Sequence, residues 1–102
     1  NQLLAQAGSS GHPVVVDFNK HNCRPCELIE PYVVGFSDDY PEALFVKVYI
    51  DTEEGAALAD LYDIYQTPSF RIFYNESDFD AIDQPDLNAL KSTLEDWYST
   101  TA

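Results

Sequence analysis

Three consecutive valines, Val14-Val15-Val16, lead through Asp17, Phe18 and a short loop to Cys23-Arg24-Pro25-Cys26. A run of β-branched residues without polar alternation reads as a strand covered on both faces, as in a parallel or mixed sheet packed by helices. Beyond the motif, Leu28-Ile29, Tyr32-Val33 and Phe36 recur at helical spacing and predict a helix from about Cys23 to Phe36. The only two cysteines therefore sit where a buried strand ends and a helix begins. Backbone N–H groups and the helix dipole at such a junction stabilise an anion, and a thiolate is one. The Cys-x-x-Cys spacing alone fits a redox dithiol, half of a metal site, or two unrelated thiols; this setting favours the dithiol.

A chain of 102 residues, 45% hydrophobic and 14% aromatic, reads as one domain over residues 1–102 with one core. No stretch of about 18 apolar residues is present to span a membrane. The net charge of −13, from 18 acids against 5 bases, argues against nucleic acid and anionic membrane surfaces as partners and reads as a solvated acidic surface. Through residue 46 the only lysine and arginine are Lys20 and Arg24, which flank the cysteines and would favour a thiolate on Cys23. The first residue is Asn1, not Met, which is expected of a trimmed or mature form or an excised domain. A cytoplasmic location is the working expectation, with a secretory or organellar precursor as the alternative.

Along the chain, residues 2–7 read as the end of a helix that stops at Gly8-Ser9-Ser10-Gly11. Val14–Phe18 is the first strand. Pro31 falls inside the helix after the motif and predicts a kink, and Gly35, Asp38-Asp39 and Pro41 predict its end. Leu44–Ile50 is a second strand with Lys47 as its one charge. Asp51, with Glu54 three residues on, predicts a capped helix with Ala56, Ala57, Leu58, Leu61 and Tyr62 on its apolar face. Ser69–Tyr74 is a third strand, Asn75–Asp78 a turn, and Phe79–Ile82 a short edge strand. Asp86 then caps a last helix whose face is Leu87, Leu90, Leu94 and Trp97. Tyr32, Phe36, Phe45, Tyr49, Phe70 and Phe73 lie at core spacings. The first two strands form a right-handed βαβ unit, followed by a hairpin and a closing helix.

Several pieces then agree. Val15-Val16-Asp17-Phe18 places Asp17 six residues before Cys23, and Cys-x-Pro-Cys is followed by Pro31 in its helix. Lys47-Val48-Tyr49-Ile50-Asp51 is a strand with one cation, and Leu58-Ala59, Tyr62, Ile64 and Thr67-Pro68-Ser69-Phe70 run into a proline before a strand. These segments resemble the thioredoxin family over nearly the whole chain. The resemblance implies an α/β thioredoxin fold: a mixed four-stranded, or five-stranded, central sheet flanked by helices. The chain departs from the family pattern at Asn22, Arg24 and Glu27, where Trp, Gly and Lys are usual. It also lacks the glycines of the last hairpin and the first edge strand. These departures bear on substrate choice and redox poise more than on fold.

The resemblance also implies roles. Cys23 is the attacking thiol and Cys26 resolves the mixed disulfide. Asp17, on a buried strand, is the proton acceptor for Cys26, with Lys47 as its charge partner; burial should raise its pKa. Thr67 and Pro68, in a cis peptide, would present the Thr67 backbone to an extended substrate beside Asn22, Arg24 and Pro25. Arg24, a fixed cation between the thiols, should make the couple more oxidising, with Glu27 and Glu30 opposing it. The expected function is reduction of protein disulfides by a monomer, with disulfide-bearing client proteins and an NADPH- or ferredoxin-linked reductase as partners. An oxidase- or isomerase-like domain of a secretory protein and a non-catalytic binding module of a larger protein are the alternatives. No cofactor is expected. No metal is expected either, because only His12, His21 and the acids could complete a zinc site around the two cysteines.

Overall fold

The computed structural model describes residues 12–74 and 79–101. The expected helix at 2–7, the turn after it and the turn at 75–78 lie outside the described residues. The elements are β1 (Val14–Asn19), α1 (Arg24–Asp39), β2 (Leu44–Tyr49), α2 (Glu53–Leu61), β3 (Ser69–Phe73), β4 (Phe79–Ile82) and α3 (Leu87–Thr101). Among the described residues the sheet has four strands in the order β2-β1-β3-β4. β1 pairs with β2 in parallel, Asp17 opposite Lys47, and with β3 antiparallel, Asp17 opposite Phe70. β3 pairs antiparallel with β4.

Every residue of β1 is buried. Alternate side chains supply two cores, because successive residues of a strand point to opposite faces. Val14, Val16 and Phe18 pack with Ala59, Ile64 and Phe73 on the α2 side. Val15 packs with Ile29, Val33, Phe70, Ile72, Leu90 and Leu94 beneath α1 and α3. Asp17 shares the parity of Val15, so it lies on the α1 side.

Helix α1 continues through Pro31 and past Gly35 to Asp39, where the Tyr40 N–H still bonds to the Phe36 carbonyl. The doubled pattern of Leu28-Ile29 and Tyr32-Val33 offers two adjacent stripes, and only one meets the sheet. Ile29 and Val33 are buried with Cys26, whereas Leu28 and Tyr32 are more than half exposed. Tyr32 is thus not a core residue. Helix α2 is capped by Thr52, whose hydroxyl accepts from the Gly55 N–H at 3.0 Å; Asp51 is engaged elsewhere. Gly55 is required there, since a Cβ would stand 1.7 Å from the Tyr49 carbonyl oxygen. Asp86 does cap α3, accepting from the Ala89 N–H at 3.0 Å.

Arg71 is the one buried cation of the sheet among the described residues, 3% exposed on the α2 side of β3. It donates to the Phe70 carbonyl (3.0 Å), the Tyr62 carbonyl (3.0 Å) and Asp83 Oδ1 (2.7 Å). One side chain therefore ties the end of α2 to the chain leaving β4. Removing a buried charge from its hydrogen-bonded partners is costly, whereas a half-exposed carboxylate can return to water. Arg71→Ala is expected to lower stability by about 3 kcal/mol and Asp83→Asn by about 1 kcal/mol, read as shifts of the urea midpoint. Equal losses would show that the ion pair, not the burial of Arg71, carries the effect.

Candidate functional site

Cys23 is the N-cap of α1, and Arg24 and Pro25 occupy its exposed first turn. Pro25 fits there because its fixed φ is helical and an N–H in the first turn has no helical partner to lose. Cys23 and Cys26 form a disulfide, and both are buried, Cys23 at 6% and Cys26 at 2% exposure. Cys23 Sγ accepts from the Cys26 N–H and from the Thr67 hydroxyl, each at 3.3 Å. Thr67 precedes Pro68 through a cis peptide bond, and Pro68 is fully buried. Tyr65, just upstream, is 87% exposed. Of the residues singled out from sequence, Cys23, Cys26 and Thr67 are therefore brought together in contact.

A family model described as thioredoxin matches residues 1–96. The chain belongs to the thioredoxin family. It is 31% identical over 87 residues to thioredoxin 1 of Plasmodium falciparum, covering 85% of this chain and 82% of that protein. It is 30% identical over 101 residues to a peptide-N(4)-(N-acetyl-beta-glucosaminyl)asparagine amidase of Caenorhabditis briggsae, covering 99% of this chain. The chain spans only 16% of that amidase, and 49% and 60% of two plant H-type thioredoxins that it also matches. Among solved structures, oxidised thioredoxin O2 of Arabidopsis thaliana superposes with a TM-score of 0.81 at 28% identity, covering 94% of this chain and 84% of that one. Fold, family match and disulfide agree: this is a thioredoxin-family domain that carries a Cys-x-x-Cys disulfide. No described helix is long and apolar enough to cross a membrane.

The loop that delivers Cys23 in this thioredoxin domain is pinned at its other end. His21 Nδ1 lies 3.0 and 2.9 Å from the two carboxylate oxygens of Asp51, and its backbone N–H donates to the same group at 3.2 Å. Its ring stacks on Tyr49 at 4.2 Å between centroids. Asn22 then takes φ 60°, the left-handed region, where its short polar side chain is among the best tolerated after glycine. The Asn in place of the family's usual Trp thus has a backbone reason.

Asp17 is 4% exposed and accepts one hydrogen bond, from Asn19 Nδ2 at 3.0 Å. Burial lifts its pKa to about 6; the Asn19 bond pulls it down, the Glu30 charge pushes it up and the Lys47 charge pulls it down least. The expected Asp17–Lys47 pair is not the one formed. The two residues are neighbours in strand register, but the Lys47 ammonium bonds to Glu30 Oε1 at 2.5 Å. Glu30, half-exposed on α1, is reached by the flexible stem of Lys47 without leaving water, whereas Asp17 would require burying a second charge. Asn19 and Glu30 thus carry parts beyond those expected from the sequence. Their signals are simple periodicities: Asn19 is two residues along the strand from Asp17, and Glu30 is one helical turn from Cys26.

The sign of the pH effect follows from the raised pKa. The folded state holds the Asp17 proton more tightly than the unfolded chain, so stability is greatest below about pH 4 in this respect and is lost as pH rises to about 6. At neutral pH the buried carboxylate costs on the order of 3 kcal/mol. Asp17→Asn is expected to raise stability by up to about that amount at pH 7 and not at pH 4, measured by urea unfolding at both values. An equal gain at both would show that charge burial is not the cause.

Proposed function

We propose that this domain reduces protein disulfides by thiol–disulfide exchange, with Cys23 as the nucleophile. The observation that carries the reading is the pair of donors, the Cys26 N–H and the Thr67 hydroxyl, on Cys23 Sγ at the start of α1. In the reduced protein the same donors and the helix dipole would hold a thiolate. That thiolate attacks one sulfur of a client disulfide, forming the Cys23–client bond and expelling the other client sulfur as a thiolate. Cys26, deprotonated, then attacks Cys23 Sγ, which restores the Cys23–Cys26 disulfide and releases the second client thiolate. Two electrons pass to the client, and a dithiol-supplying reductase, NADPH- or ferredoxin-linked, must return them.

Asp17 is the base for the Cys26 proton. A carboxyl titrating at about 6 is ionised near neutrality yet basic enough to accept a proton. The Thr67 backbone, beside Pro68, would pair with an extended client segment, with Asn22, Arg24 and Pro25 on the rim. The exposed Arg24 charge favours thiolate over disulfide. The couple should therefore be modestly more oxidising than the usual thioredoxin value of about −270 mV.

The match of nearly the whole chain to 16% of the nematode amidase favours a second reading, in which this domain is one part of a larger protein. Insulin reduction separates a working domain from an idle one: the unaltered protein should turn over and Cys23→Ser should be inactive. Equal inactivity of both would remove the catalytic reading. Equilibration with glutathione should give a potential slightly above about −270 mV; a value near the roughly −120 mV of periplasmic oxidants would reverse the direction to oxidation.

A further inference from the structure

Two cavities flank the site and share a wall. One, of about 150 Å³, is lined by Asp17 together with Val33, Phe45, Glu30 and Lys47. The other, of about 210 Å³, is lined by Cys26, Asn19 and Tyr49, again with Glu30 and Lys47. The Glu30–Lys47 ion pair therefore stands between the space at the carboxyl and the space at the resolving cysteine. Its position has a reason in sequence. Cys26, Ile29, Glu30 and Val33 fall on one face of α1, and Lys47 falls on the α1 face of β2 by alternation from Phe45.

We propose that Glu30 is a positioning residue for the exchange reaction: by holding the Lys47 ammonium on α1 it keeps that cation off Asp17, and so sets the pH at which Asp17 takes the proton of Cys26. The second half rests on the function proposed above; the first does not. Among the described residues the charged groups around Asp17 are few. From β2 there is Lys47 and from α1 there is Glu30, with Glu27 further along the Cys26 cavity. β3 presents Phe70 and Ile72, and α3 presents Leu90 and Leu94, none of them charged. Asn19, on β1 itself, supplies only a neutral donor. With so little else nearby, where Lys47 sends its charge decides the field at Asp17. At present the carboxylate of Glu30 acts on Asp17 more strongly than the ammonium does. Lys47 itself is held above its ordinary pKa, first by the Glu30 hydrogen bond.

The test is the ionisation of the Asp17 carboxyl, followed by carbon-13 NMR in the oxidised protein, beside the pH profile of insulin reduction. Glu30→Gln removes one negative charge and loosens Lys47, and should lower the Asp17 midpoint by about one pH unit, a tenfold change in its ionisation constant. Lys47→Met should raise it. The double variant should lie near Lys47→Met alone, because without Lys47 the loss of Glu30 has little left to release. A midpoint unmoved or raised in Glu30→Gln overturns the proposal. A full downward shift that persists in the Lys47→Met background overturns the holding role and leaves only direct repulsion. The low-pH limb of the rate profile should follow the carboxyl in every variant. A carboxyl that moves while the rate limb stays would remove Asp17 as the base, and with it the catalytic half of the proposal, while leaving the hold on Lys47 established.

Discussion

A strand covered on both faces leaves no water for anything it carries. In β1 this burial is complete, and the rest of the structure answers to it. The three valines and Phe18 satisfy it by packing into two cores. Asp17 does not, and its carboxyl has one donor, from Asn19, where an exposed acid would have several waters. The buried acid is thus a local cost of the fold, on the face of β1 that packs against α1. Burial raises its pKa to about 6, which is what the proposed role of a base near neutral pH would need.

Buried polar groups of the sheet are answered from their own strand and from neighbouring elements. Arg71, one strand away on the other face, is surrounded by two carbonyls and a carboxylate. The sheet therefore keeps these two buried charges apart, an acid facing α1 and a base facing α2, rather than pairing them. Each face has its own polar groups, and Cys26 lies with Ile29 and Val33 on the buried stripe of α1.

Much of this architecture is legible in the amino-acid sequence. Consecutive valines specify β1, the cysteine spacing marks its junction with α1, and Asp86 marks the start of α3, because each rests on a local rule. The stripe of α1 that is buried cannot be told from periodicity, since Leu28 with Tyr32 and Ile29 with Val33 have the same spacing and only the sheet chooses between them. The partner of Lys47 is hidden for a different reason. Strand register brings backbones together, but a four-carbon stem lets the ammonium leave its own row for Glu30 on a helix. Arg71 sits in an apolar strand sequence, and nothing local states that two carbonyls and Asp83 converge there. Asn22 draws the eye through its side chain, while its backbone angle is what the site uses.

The clamp on His21 has a mechanical consequence. Its carboxylate contacts, its backbone bond to Asp51 and its stack on Tyr49 fasten the loop before Cys23 to the end of β2 without involving either sulfur. None of these contacts uses Cys23 or Cys26, so none depends directly on the bond between the sulfurs. The chain entering Cys23 is therefore an anchored hinge post, and the helix beyond it a fixed beam. Under the proposed exchange, two short side chains at the start of that helix would take up most of the change when the disulfide opens. A disulfide carrier built this way would lose little driving force to its own relaxation and would present nearly the same face in either oxidation state.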